Sequence, residues 1–208
     1  MIRIDHFRGF VAYWEVPAGE KTAVNGQWVD APAADFFEVL CKRFPYLPVI
    51  AEDVGRITAD IREIMSRYGF PGMRPLISAF SETPSRHISA PHNVGENTVV
   101  YTGTHDFNTV RGWFEKELTE EKRKQLFRYL GREVAVKDIH WELIRLAMMT
   151  VANTVIIPMQ DILGLDGMAR MNRPGIAQGN WEWRLLPGQL TQSIIRKIKD
   201  MTELYGRD

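Results

Sequence analysis

Five short apolar runs constrain this chain more than any other feature. They cover residues 1–4, 47–51 (LPVIA), 73–80 (MRPLISAF), 98–102 (TVVYT) and 154–158 (TVIIP). Each is nearly continuous, not alternating. A strand with one wet face alternates, whereas a strand buried on both faces does not. Strands of the second kind belong to parallel sheets covered by helices. Helical patterns separate most of the runs. Ala33–Arg43 carries Phe36, Phe37, Leu40 and Cys41 on one stripe. Thr58 stands where it would cap a helix over Ala59–Tyr68, and Gly69 stands where a C-cap belongs. Asp138 is placed to cap a long apolar-striped helix through about Ala152, and residues 189–204 read as a last amphipathic helix. Strand and helix in alternation at this spacing imply right-handed βαβ units in an α/β fold.

A chain of 208 residues is long enough for one domain with a sizeable core, and 45% apolar with 25% charged residues is the balance of a globular protein. Formal net charge is zero, which argues against general binding to nucleic acid or to anionic membranes. No stretch approaches the roughly 18–20 apolar residues of a membrane span. Arg3, Asp5 and His6 exclude a signal peptide at the start, so a cytoplasmic location is expected. The single cysteine, Cys41, excludes an internal disulfide and reads as a small buried hydrophobe. Aromatic residues reach 11%, and Trp14, Trp28, Trp181 and Trp183 fall in or near glycine-containing segments. Two readings stay open for them: packing of loops, or stacking platforms for flat ligands such as sugars. Residues 81–97 and 164–188 are long polar connections holding His92, Asn93, Asn172, Asn180 and Trp181, either as recognition groups or as plain surface.

Acidic residues follow three of the apolar runs. Asp5 follows the first, Glu52 and Asp53 follow LPVIA, and Asp106 follows TVVYTGTH. In a parallel α/β fold the carboxyl ends of the strands face a common crevice, so these acids are expected to converge there. Converging carboxylates suit either a divalent metal or glycoside chemistry with a nucleophile and an acid/base. The neighbours favour the second. Arg3, two residues before Asp5, points to the same face of a strand. A guanidinium there keeps an aspartate ionised and repels a metal. His105 beside Asp106 adds a donor for a sugar hydroxyl.

The segments IRIDHFRGF, IAEDVG, YTGTHDFNT, PMQDILGL and MNRPGIAQGNWEWR resemble those of the 4-α-glucanotransferases, the amylomaltases or disproportionating enzymes. The resemblance runs along essentially the whole chain, in order. It implies an α-amylase-like (β/α)8 barrel and a retaining double displacement on maltooligosaccharides or α-1,4-glucan, the chemistry of starch, glycogen and maltose metabolism. It implies Asp5 as nucleophile after the fourth barrel strand and Glu52 as general acid/base after the fifth. It further implies Asp106 as the third acid after the seventh strand, Arg3 orienting the nucleophile, and His105, His92 and Asn93 binding substrate. No metal or organic cofactor is implied. Two positions depart from the family's pattern: Phe107 stands where asparagine is usual, and Val94 where tyrosine is usual.

The resemblance also implies that residues 1–208 form a partial barrel domain, about strands four to eight, without the first three strands. The chain is then expected to self-associate or to pair with a separate N-terminal piece. The alternatives are a truncated fragment that binds glucan without turnover, or an unrelated metal-dependent hydrolase.

Overall fold

The computed structural model describes residues 1–55 and 57–207. The chain divides into two compact units, Met1–Met73 and Arg74–Asp208.

In the first unit, β1 (Ile2–Ile4) is followed by an antiparallel hairpin of β2 (Ala12–Glu15) and β3 (Gln27–Asp30). Then come α1 (Ala33–Arg43), β4 (Val49–Ala51), α2 (Ala59–Tyr68) and β5 (Gly72–Pro75), which crosses the division. β1 pairs parallel with β4, with Ile4 opposite Ala51, and β4 pairs parallel with β5, with Ala51 opposite Gly72. A β–α–β crossover is the usual way to bring two parallel strands side by side. The core joins the strands to the helices through Phe7, Phe37, Val49, Ala51, Ile61, Met65 and Phe70. Phe37 is its hub, with the rings of Phe7, Phe10, Phe36, Tyr68 and Phe70 centred 5.0–5.7 Å away.

The second unit opens with α3 (Leu76–Ser81), followed by β6 (Thr98–Tyr101), α4 (Val110–Lys116), α5 (Glu120–Leu130) and α6 (Ile139–Met149). It closes with β7 (Thr154–Ile156), α7 (Met159–Ile162) and α8 (Gln192–Leu204). β6 and β7 pair parallel from Val99–Thr154 to Tyr101–Ile156. Ile77, Phe80, Val100, Trp113, Phe114, Leu126, Ile139 and Leu143 form the core. Phe107 packs against this core and Val94 is buried within it, so both departures from the family's pattern serve packing. Among the described residues no helix is long and apolar enough to cross a membrane.

Both units are parallel α/β, as the unbroken apolar runs require. Ala33–Arg43 and Ala59–Tyr68 are the expected helices, and Gly69 closes the second with φ 68°. That is the left-handed conformation that glycine takes at least cost. Other readings need correction. Residues 73–80 are not one strand: the strand ends at Pro75, and Leu76–Ser81 is helical with Leu76, Ile77, Ala79 and Phe80 buried. A short apolar run buried on all sides has no period that separates strand from helix. The helix after Asp138 stops at Met149, three residues short of Ala152, and the last helix starts at Gln192, not 189, with Thr191 accepting from the Ile194 amide. Cys41 is half-buried against the first core, not fully buried. The hairpin and helices α4 and α5 are elements beyond those expected from the sequence.

Arg207, beyond α8, caps the end of α6. It donates from Nε to Met148 O at 2.8 Å, from Nη1 to Ala152 O at 2.7 Å, and from Nη2 to Thr150 O. Met148 O is one of the carbonyls that a helix end leaves without a partner, and Thr150 and Ala152 lie in the chain just past it. Arg207→Ala is expected to lower stability by about 2 kcal/mol in urea unfolding, because several charge-assisted bonds go at once.

Two buried groups titrate in opposite senses. Burial first, then the charge of Lys197, pushes His140 down to about 4. Burial pushes Asp161 up to about 6, against hydrogen bonds from Thr102 and Val110 that favour its charge. Between pH 6.5 and 4 the unfolded chain holds the His140 proton and the fold does not, so acidification disfavours the fold. Between pH 6 and 3.8 the fold holds the Asp161 proton and the unfolded chain does not, so acidification favours the fold. Each effect is worth at most about 3 kcal/mol, and over pH 4–6 they oppose each other. Asp161→Asn should therefore unmask a loss of stability as pH falls from 6.5 to 4. His140→Gln should unmask a gain as pH falls from 6 to 4. Urea unfolding at half-unit pH steps reads both slopes.

Candidate functional site

In the first unit, Asp5 and Glu52 are the next residues past the paired ends of β1 and β4. The ladder continues one step beyond the register, with Glu52 N donating to Ile4 O at 3.0 Å. Neighbouring strands lie about 4.8 Å apart, so the two acids stand side by side at one sheet end. The Asp5 side chain is 71% exposed, and its Oδ1 lies 2.8 Å from Arg3 Nη2. The i, i+2 spacing on β1 thus gives the expected ion pair. Arg3 is held from its other side, where Nε contacts Met73 Sδ on β5 at 3.2 Å. Sequence reasoning missed Met73 because the contact spans 70 residues.

Glu52 is held by amides. Its Oε2 accepts from His6 N at 2.8 Å and its Oε1 from Val54 N at 2.9 Å. His6 reaches it by adopting φ 45°, ψ 55°, a left-handed conformation unusual for a residue with a Cβ. The strain sits one residue after Asp5, where backbone outliers tend to mark function. Asp53 turns the other way and accepts from Met73 N at 2.6 Å. Gly72 makes room for it, since a Cβ there would lie 2.4 Å from Asp53 Oδ2.

In the second unit, His105 and Asp106 lie on the loop between β6 and α4, past the carboxyl end of the strand. Asp106 Oδ1 accepts from Asn172 Nδ2 at 2.5 Å, and Oδ2 lies 3.3 Å from His105 Nε2. Arg170 Nη2 donates to the Asp106 carbonyl at 2.6 Å. The Asn172 amide donates to the His105 carbonyl at 3.1 Å, and the Trp181 ring lies 5.1 Å from the His105 ring. The 170–181 loop therefore brackets this pair. The asparagine and tryptophan were visible as recognition types in a long loop, while Arg170 gave no signal.

His92 and Asn93 lie on the connection before β6, and their hydrogen bonds are made within it and to α5. His92 Nδ1 bonds the Tyr129 hydroxyl at 2.8 Å, and Asn93 Nδ2 donates to the His87 carbonyl at 3.1 Å. Both bonds tie the 81–97 connection down. Trp14 and Trp28 lie opposite each other across the hairpin, edge to face with ring centres 5.4 Å apart, and the Arg8 guanidinium sits 4.0 Å over Trp28. Among the described residues no group of three or more His, Cys, Asp or Glu is placed to hold a metal ion.

Parallel strands linked by helices, with carboxylates just past their carboxyl ends, define an α/β protein of the strand-end carboxylate class. The family model described as 4-alpha-glucanotransferase matches residues 1–191. The chain is similar to the 4-alpha-glucanotransferases of Aquifex aeolicus, 49% identical, and of a Synechocystis species, 47% identical. Each match covers 100% of this chain, but 42% and 41% of the relative. Among solved structures it is similar to an amylomaltase from Streptococcus agalactiae in complex with acarbose. That match has a TM-score of 0.93 and 38% identity, covering 99% of this chain and 41% of the other. The chain belongs to the 4-alpha-glucanotransferase family, and it spans about two-fifths of the length of these relatives.

Proposed function

We propose that this chain carries the reacting groups of a 4-α-glucanotransferase, on strands four to eight of a (β/α)8 barrel. The observation that carries the reading is the Arg3–Asp5 ion pair with Glu52 on the adjoining strand end. Asp5 is the nucleophile, held in place by its ion pair with Arg3, and Glu52 is the general acid/base. Asp106, oriented by Asn172 and His105, binds sugar hydroxyls and steadies the oxocarbenium-like transition state.

In the first step Glu52 gives its proton to the glycosidic oxygen while an Asp5 oxygen attacks the anomeric carbon. The sugar–oxygen bond breaks, and a β-glucosyl ester of Asp5 forms. In the second step Glu52 takes the proton from the 4-hydroxyl of an acceptor glucan, whose oxygen displaces Asp5. Two inversions restore an α-1,4 bond. Acarbose in the complex with the Streptococcus agalactiae amylomaltase supports α-glucan as the ligand class.

A second reading follows from length. A chain spanning about two-fifths of its relatives binds glucan without turnover when the remaining strands supply the acceptor side. The outer edge of β1 has no strand partner among the described residues, and Ile2 on it is exposed. An open edge of this kind invites completion by further polypeptide. Incubation with maltotriose separates the readings. Longer and shorter oligosaccharides without net hydrolysis support the transferase. Binding without new products supports the second reading, and neither binding nor products sinks both.

A further inference from the structure

The PMQD segment holds a buried carboxylate that the mechanism above does not use. Asp161 is 2% exposed. Its Oδ2 accepts from Thr102 Oγ1 at 2.5 Å and its Oδ1 from Val110 N at 2.8 Å. Thr102, fully buried, is the first residue after β6, and Val110, equally buried, is the first of α4. Between them runs the loop 103–109, with His105 and Asp106 on it. Both feet of that loop are thus tied to one side chain from a different element.

Burying a carboxylate is unfavourable unless its oxygens are used. Capping alone does not explain it here. Thr109 already caps α4, accepting from the Gly112 amide at 3.0 Å. What a carboxylate adds is capacity for two donors at once, one on each side of the loop. Arg170 and Asn172 grip the tip of the loop, and their grip fixes the position of Asp106 only while the base stays in place.

We propose that Asp161 is a positioning residue that clamps both feet of the 103–109 loop and so sets where His105 and Asp106 stand. The kinetic consequence rests on the glucan-transfer reading, and the geometric one does not.

The test uses the full-length protein with Asp161→Ala, Asp161→Asn, Thr102→Val and Val110→Pro. Thr102→Val deletes one donor at nearly constant shape. Val110→Pro deletes the other at a first helical position, where proline is tolerated, and Thr109 already has the extended backbone (φ −59°, ψ 153°) that proline asks of its predecessor. Amide hydrogen exchange across 103–109 should quicken about tenfold in Asp161→Ala and less in each single-foot variant, with α5 and α6 unchanged. In maltotriose disproportionation, Asp161→Ala should lose about 100-fold in kcat with little change in KM, as for a misplaced reacting group. Asp161→Asn, which keeps one acceptor, should recover part of it. Wild-type protein without transfer activity would sink the functional reading, while the exchange data would still judge the clamp. Exchange across 103–109 no faster in Thr102→Val and Val110→Pro than in wild type overturns the proposal, even if Asp161→Ala fails to fold. So does a loss of kcat that merely follows global stability, with Asp161→Asn no better than Asp161→Ala.

Discussion

Asp5→Asn is expected to end glucan transfer, lowering turnover by about 10⁴-fold or more, because an amide oxygen at this place cannot form the glucosyl ester. The fold should survive. The Asp5 side chain is mostly exposed, and its ion-pair partner, Arg3, keeps its contact to Met73. Circular dichroism and urea unfolding should therefore match the wild type while maltotriose is left unchanged. Asp5→Gly supplies a sharper version. With azide and an activated α-glucosyl donor, the azide nitrogen takes the place of the Asp5 oxygen at the anomeric carbon, and the leaving group departs with its electron pair. The expected product is a β-glucosyl azide. An α-azide, or transfer at wild-type rate by the asparagine variant, would show that Asp5 is not the nucleophile.

The second large effect falls on stability. Phe37→Ala should cost about 4 kcal/mol, since a fully buried ring is removed and aromatic contacts go with it. Against a net stability of about 5–15 kcal/mol for a domain, that is a large share. The consequence for the site is indirect. Phe7 stacks on Phe37 at 5.2 Å and anchors the turn after Asp5, where His6 holds its left-handed backbone to reach Glu52. Losing the anchor frees that turn, so Phe37→Ala should weaken activity at temperatures where the protein is still folded. Phe37→Leu, which keeps most of the volume, should cost less than half as much in urea unfolding. Equal costs for the two substitutions would mean that the aromatic cluster does not organise this unit.

The sequence by itself determined the parallel α/β character, since unbroken apolar runs between helical stripes have few other homes. It also determined the Arg3–Asp5 pair, because a spacing of two on a strand puts both side chains on one face, and the strand-end positions of Glu52 and Asp106. These are local consequences of period and chain order. Tertiary structure decided what depends on distant contacts. Residues 73–80 became a short strand and then a helix, because full burial on all sides removes any period. His92 bonds the Tyr129 hydroxyl, a partner 37 residues away that nothing local announces. Met73 against Arg3, Arg170 and Asn172 around Asp106, and Asp161 between Thr102 and Val110 are meetings across 51 to 70 residues of chain. No local pattern announces them, because the partners are chosen by which elements pack together, and that follows from the whole core.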